Sequence, residues 1–278
     1  MILSPVNCSE KGCPLPGRSN IIHAVKILID GAKRLGLSLT RGQVECFQVY
    51  YEELIRWNRT VNLTAIVDYE GVQIKHFLDS LTVTLAFSNV PSRILDIGTG
   101  AGLPGVPLKI LYPAIGLTLV DSVHKKVAFL HHLIDRLGLE GVEILAERSE
   151  HLAQDESYRQ RFDLVLSRGV AKLATLAELA LPFCSLGGTF IAMKKGEVDE
   201  EVAEAQRAID ALGGRLRQVK WIRLEELIRG ELTGAGDSEK FEKGERALVI
   251  IDKFITTPDR YPRRPGIPRK RPLFVGDR

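Results

Sequence analysis

From Ile21 the apolar residues fall at Ile21, Ile22, Val25, Leu28, Ile29, Ala32 and Leu35. That three-to-four spacing predicts an amphipathic helix ending near Gly36. A second stripe after Thr40, through Val44, Phe47, Tyr51 and Leu54, predicts another helix, and a third is expected from about Val72 to Phe87. Beyond Pro91 the pattern changes. ILDI, LTLVD, VEILAE, FDLVLS and TFIAMK are short apolar runs of strand length, separated by helical stretches over 104–112, 124–137, 170–184 and 197–212. Strands alternating with helices predict a parallel sheet covered on both faces. The last two strand candidates, LRQVKWIRL and RALVIIDKF, have only a polar, Gly- and Glu-rich segment between them. They are expected to close the sheet edge as an antiparallel hairpin. The organisation expected is an unstructured tail over 1–19, a helical unit over 20–90, an α/β domain over 91–257 and a basic tail over 258–278.

Composition changes this picture little. The chain has 278 residues, 45% apolar, with a net charge of +3, too small to argue for nucleic acid by itself. Its distribution says more: RYPRRPGIPRKR, residues 260–271, carries six Arg or Lys and no acid. Prolines at every third position, Pro262, Pro265 and Pro268, favour an extended segment whose charges can follow a phosphate backbone. Arg263 and Arg264 are its candidate RNA contacts. No apolar run approaches the ~18 residues that cross a membrane, and the N-terminus lacks the pattern of a signal peptide. Cys8, Cys13 and His23 lack the remaining ligands of a zinc site, so no metal is expected. The thiols, with Cys46 and Cys184, read as reduced in a cytoplasmic protein.

The chemistry lies in RILDIGTGAGLPGVPL, residues 93–108. Gly98, Gly100 and Gly102 follow a strand and precede a helix, so the backbone can turn sharply and approach a ligand. Pro104 is expected in the first helical turn. A dinucleotide fingerprint counted from Gly98 places Leu103 where glycine is required. G-x-G-x-G with Asp96 just before it is instead the arrangement of methyltransferases using S-adenosylmethionine. Asp121, at the end of LTLVD, suits the ribose hydroxyls of either cofactor, whereas the terminal hairpin favours a seven-stranded methyltransferase sheet. An NAD(P)-dependent oxidoreductase stays open as the alternative, as does a ligand-free turn.

The acceptor is narrowed by what is missing. After FDLVLS the chain reads LSRGVAK, with no D/N-P-P-Y-like motif for an exocyclic amine. Cys184, in LALPFCSLGG, reads as core and not as a pyrimidine C5 nucleophile. A ring nitrogen such as guanine N7 attacks through its own lone pair and needs neither device. Arg168, Lys194 and Lys195 end the fourth and fifth strands at the edge where ligands bind in open α/β sheets. They are candidates for a positive rim facing RNA. His76 and Asp79 share a helix face as a polar cluster or as RNA contacts, while Trp57, Asn58 and Asn62 read as structural.

WNRTVNLTAI, KHFLDSL, LDIGTGAGLPGVPL, LVDSVHKKVAFL, ERSEHL, FDLVLSRGVAKL and AMKKG resemble the RsmG (GidB) family of bacterial 16S ribosomal RNA methyltransferases over roughly residues 40–273. The tail DRYPRRPGIPRKRPL resembles longer members. The resemblance implies a class I S-adenosylmethionine-dependent methyltransferase fold, a seven-stranded, mostly parallel sheet with a terminal antiparallel hairpin, beside a small N-terminal helical unit. It implies N7 methylation of one guanine in the 530 loop of 16S ribosomal RNA, with the small ribosomal subunit as partner and no obligate protein partner. Carried over by position, cofactor contacts fall on Gly98, Gly100 and Leu103, on Ser149 and Glu150, and on Arg168, with Asp121 and Ser122 as ribose contacts. No general base is assigned. A non-catalytic ribosome-binding factor with the same fold is a further alternative. The first forty residues and the polar segment Glu225 to Gly244 depart from the family pattern. The resemblance also leaves room for the tail to pack back through Tyr261 and Leu273.

Overall fold

The computed structural model describes residues 25–169, 171–229 and 245–274 of the 278. The tail over 1–19 with Cys8 and Cys13, and His23 after it, lie outside the described residues, as does most of the polar segment up to Gly244.

The helical unit opens with α1 (Lys26–Arg34) and α2 (Arg41–Val61), which starts at a reciprocal cap: the Gln43 N–H donates to the Thr40 hydroxyl and the Thr40 N–H to the Gln43 side chain. The Gln43 amide also donates to the carbonyls of Ile110 and Leu111 at 3.0 and 2.9 Å, so one side chain caps α2 and ties it to the sheet-covering helix beyond. Asn62 ends α2 in the left-handed region. A third helical run, α3, comprises Tyr69–Val72, a π-turn over Gln73–Leu78, Asp79–Leu81 and a closing 3-10 turn over Thr82–Ala86. The sequence pattern finds this run but not its widened middle, which carries His76 next to Asp79.

Then come β1 (Arg93–Ile97), α4 (Gly105–Leu111), β2 (Gly116–Val120), α5 (His124–Leu137), β3 (Val142–Leu145), the single turn α6 (Ser149–Leu152), β4 (Phe162–Arg168), α7 (Leu173–Ala180), β5 (Cys184–Lys195), α8 (Asp199–Ala211), β6 (Gly214–Arg223), the short α9 (Leu224–Ile228) and β7 (Glu245–Lys253). The sheet order is β3-β2-β1-β4-β5-β7-β6. β1 to β5 run parallel and β7 is antiparallel to both β5 and β6, so the expected terminal hairpin forms. β1 and β4 are neighbours whose onward connections leave in opposite directions. A crevice therefore opens above their carboxyl ends.

Two apolar cores sit on the two faces. One joins the helical unit (Phe47, Tyr50, Phe77) to α4, α5 and the sheet; the other packs α7 and α8 with Phe162, Phe183 and Phe190. Cys184 starts β5, buried, opposite Phe162 at the far end of β4 from the crevice. This is the core position the sequence suggests.

The extended basic tail expected over 260–271 is not what forms. Tyr261 and Leu273 are buried in the second core. Residues Ile267–Lys270 make one helical turn, α10, with a proline in its first positions where no hydrogen bond is lost. The segment instead follows the alternative of packing back. Its apolar residues have a core to enter, and burying them outweighs the local preference of proline for extension.

Candidate functional site

Asp96 near the end of β1 organises the glycine turn. It is fully buried. Its Oδ2 accepts from the Thr99 hydroxyl at 2.7 Å and from the Gly105 N–H at 2.9 Å, holding the two ends of the loop together. Burial pushes its carboxyl up to about 7, against those two donors. Gly98, Gly100 and Gly102 all have positive φ, between 60° and 91°, a conformation few L side chains adopt. At Gly102 space is lacking as well: a Cβ would lie 2.7 Å from the Val106 side chain and 3.1 Å from the Tyr50 hydroxyl. That hydroxyl donates to the Ala101 carbonyl at 2.6 Å, so α2 fixes the turn from below. Pro104 stands just before α4 and not within its first turn.

Asp121 follows β2 and is nearly buried. Its Oδ2 accepts from the Gly100 N–H at 3.0 Å and its Oδ1 from the Val123 N–H at 2.9 Å, with Lys126 Nζ 3.7 Å away. One carboxylate thus locks the two phases of the crevice, the glycine turn and the turn after β2. A cleft of about 460 Å³ opens there, within the range of small-molecule sites. It is lined by Gly98, Asp121, Ser122, Ser149, Glu150 and Arg168. A smaller cavity of about 170 Å³ adds Gly98, Gly100 and Leu103, again with Arg168. All eight residues expected to hold the cofactor therefore lie around one crevice. Ser149 and Glu150 reach it on the one-turn helix α6.

Arg168, at the end of β4, also borders a second cavity of about 450 Å³ with Lys75, His76, Lys194, Lys195 and Arg246. Its Nη1 lies 3.3 Å from Asp79 Oδ2 and donates to the Lys75 carbonyl at 3.2 Å. Arg246 of β7 lies 3.3 Å from the other Asp79 oxygen. Asp79 is therefore a buried carboxylate between two guanidiniums, one from β4 and one from β7. Burial pushes its carboxyl up and the two cations pull it down. His76 bonds the Lys75 carbonyl through Nδ1 and the Thr64 hydroxyl through Nε2. A carbonyl only accepts, so Nδ1 carries the proton and the Thr64 hydroxyl donates to Nε2. Burial and the neighbouring Arg168 lower this imidazole to about 4. The polar cluster read from KHFLDS thus joins the helical unit to the sheet.

The four candidate RNA contacts divide. Lys194 is held by Glu201 at 2.7 Å and donates to the Ala171 carbonyl at 2.8 Å. Arg263 is held by Glu178. Lys195 lines the second cavity and Arg264 is exposed. Among residues sequence reasoning missed, Tyr50 sat one position off the apolar stripe, Arg246 lay inside an apolar strand, and Glu178 lay inside an apolar helix. For Glu178, the single charge in the buried run LATLAELA was the available signal.

The residues present suit S-adenosylmethionine. Gly100 has open space where a Cβ would stand, so the turn can be approached closely, and Asp121 keeps lone pairs for hydroxyl donors beside its two N–H bonds. A doubly wound sheet of this order, with an antiparallel seventh strand, a glycine turn after β1 and a carboxylate after β2, defines a class I S-adenosylmethionine-dependent methyltransferase. Among solved structures, the cyclase SpnF superposes with a TM-score of 0.51 at 14% identity, over 79% of this chain and 98% of that one, a likeness of fold alone. A family model described as rRNA small subunit methyltransferase G matches residues 43–228. The ribosomal RNA small subunit methyltransferase G of Dehalococcoides mccartyi is 48% identical over 247 residues, 89% of this chain and 99% of that protein. The protein of that name from Halalkalibacterium halodurans is 43% identical over 240 residues, 86% of this chain and 94% of that protein. The chain belongs to the rRNA small subunit methyltransferase G family.

Proposed function

We propose that this protein methylates N7 of a guanine in the 530 loop of 16S ribosomal RNA, within the small ribosomal subunit. The observation that carries the choice of atom is the chemistry absent from the crevice, taken with the family. Of the cysteines among the described residues, Cys184 sits at the opposite end of β4, its thiol pushed up to about 12 by burial, and Cys46 is buried in the helical unit. Neither lines the crevice or the cavities beside it. Of the acids around the crevice, Asp96 and Asp79 are buried and tied to donors or cations, Asp121 accepts from the Gly100 and Val123 N–H groups, and Glu150 accepts from the Gly266 N–H. Guanine N7 carries no proton, so its lone pair needs no base to free it.

S-adenosylmethionine, when bound, supplies a methyl group on a cationic sulfur. The chain's own residues then position and manage charge. Gly98, Gly100 and Leu103 shape the turn, Asp121 and Ser122 take the ribose hydroxyls, and Ser149 and Glu150 flank the base. Arg168 stands where the cofactor cleft meets the second cavity, which receives the RNA with Lys195 and Arg246 on its wall. A guanine methylated at N7 is a cation that has lost no proton, so no residue of the chain would have to accept one.

Methyl transfer from labelled donor to small-subunit RNA tests this reading. We expect label in 16S RNA from small subunits, with strand scission at one 530-loop guanine after borohydride and aniline treatment. No transfer would favour the non-catalytic ribosome-binding alternative, and label without scission would overturn the choice of N7.

A further inference from the structure

The segment after β7 is bolted to the methyltransferase domain along its length. Thr257 donates to the Leu212 carbonyl at 2.8 Å and also meets the Lys253 ammonium. Arg159 donates to the carbonyls of Thr257 at 2.9 Å and Tyr261 at 3.0 Å. Glu178 on α7 is wholly buried and receives a three-point clasp from Arg263: the backbone N–H at 2.8 Å, Nε at 2.9 Å and Nη2 at 2.7 Å. A buried carboxylate stripped of its cation is costly, so this clasp decides whether the segment stays down. Beyond it, the Gly266 N–H donates to Glu150 at 2.8 Å and the Thr175 hydroxyl to the Pro268 carbonyl at 3.0 Å. The outcome is that Gly266 and Arg269 line the same 460 Å³ cleft as Gly98 and Asp121.

We propose that residues 257–274 form the outer wall of the cofactor site and that Arg269 binds the adenine base of the cofactor. The direction of the cleft supports this. Arg168 borders both the cleft and the second cavity, so the transferable methyl must face that end. Asp121 marks the ribose in the middle. The base then falls at the Ser149–Glu150 end, and Gly266, bonded to Glu150, fixes the C-terminal segment at that end. Arg269 is exposed there, and its guanidinium makes no hydrogen bond or ion pair among the described residues. A planar, weakly hydrated guanidinium stacks on an aromatic face in a way a lysine ammonium does not.

This inference rests on the cofactor and not on which base is methylated, so it can fail while the RNA reading stands. The test is calorimetric titration of the full chain with S-adenosylhomocysteine and with adenosine. Arg269→Ala should weaken both ligands by the same factor, about three- to thirtyfold, with the ligand-free melting temperature unchanged. Arg269→Lys should not restore the loss. Arg263→Ala should lower both the melting temperature and the affinity. Wild-type affinity in Arg269→Ala, including a variant whose only defect is weaker RNA binding, would overturn the assignment. So would a loss seen with S-adenosylhomocysteine but not adenosine, which would place Arg269 on the amino-acid moiety. A lower melting temperature in Arg263→Ala with unchanged affinity would overturn the role of the segment as a wall.

Discussion

Tyr50→Phe removes one oxygen atom from the contact between the helical unit and the glycine turn. The ring is fully buried, 5.0 Å from Phe77 between centroids, and phenylalanine keeps that packing. What is lost is the 2.6 Å hydrogen bond to the Ala101 carbonyl. The carbonyl is left without its partner in a buried place. Stranding a buried polar group costs about 1–3 kcal/mol. For a chain of this size that is a fall of about 2–4 °C in melting temperature per kcal/mol. The same change loosens the peptide between Gly100 and Gly102, so the turn spends less time in the form that receives the cofactor. Affinity for S-adenosylhomocysteine should fall by less than the full loss, about tenfold if ~1.4 kcal/mol of it goes into freeing the turn. Tyr51→Phe is the control. Its hydroxyl makes only a 3.4 Å contact with the Val67 carbonyl near the surface, and the change should stay within about 0.5 kcal/mol. Differential scanning fluorimetry and calorimetric titration read both quantities. A Tyr50→Phe protein with wild-type melting temperature and wild-type affinity would refute the coupling of helical unit to turn.

Asp121→Ala should weaken S-adenosylhomocysteine binding by about 1.5–3 kcal/mol, since it removes a ribose acceptor and also releases the Gly100 and Val123 N–H groups; calorimetry showing unchanged affinity would remove it from the site. Arg168→Ala should cut methylation at least about tenfold, ~1.4 kcal/mol in the barrier, and lower stability by leaving Asp79 with Arg246 alone. Adding Asp79→Asn should recover stability but not turnover, and recovery of both would make Arg168 purely structural. The His76 imidazole, lowered to about 4, should stay neutral with the proton on Nδ1 down to pH 5 in ring-nitrogen NMR. Because the unfolded chain binds that proton more readily between about 4 and 6.5, this group adds stability as pH rises through that window, and a midpoint near 6.5 would contradict its burial.

Much of the fold was legible because it rests on local periodicity. The strand runs and the helices between them follow from one-residue and three-to-four-residue spacing, and the polar gap before β7 announced the antiparallel edge. The glycine turn was legible because positive φ and close approach leave a signature in residue type. The C-terminal segment was misread for the same reason: Pro262, Pro265 and Pro268 state a local preference, and the winning interaction, Arg263 with Glu178, spans 85 residues. Lys194 shows what sequence leaves out. Its charge at a strand end suggests a phosphate contact, while Glu201, supplied by α8, already meets it. A charge is visible in sequence, but its partner is visible only when the chain has folded.

The crevice between β1 and β4 explains why three outside segments meet there. Strand ends alone present a turn, a carboxylate and an arginine to solvent; they do not hold them. Tyr50 from α2 holds the glycine turn, Asp79 from α3 holds Arg168, and Glu150 accepts from Gly266 of the C-terminal segment. These contacts reach the residues that follow β1, β4 and β3, while Asp121 after β2 is held by the Gly100 and Val123 N–H groups. Two come from the helical unit and one from the segment after β7. Ordering the site therefore requires both to be docked, and because Tyr50 and Tyr261 are themselves core residues, disturbing either should be felt in cofactor affinity and in melting temperature together.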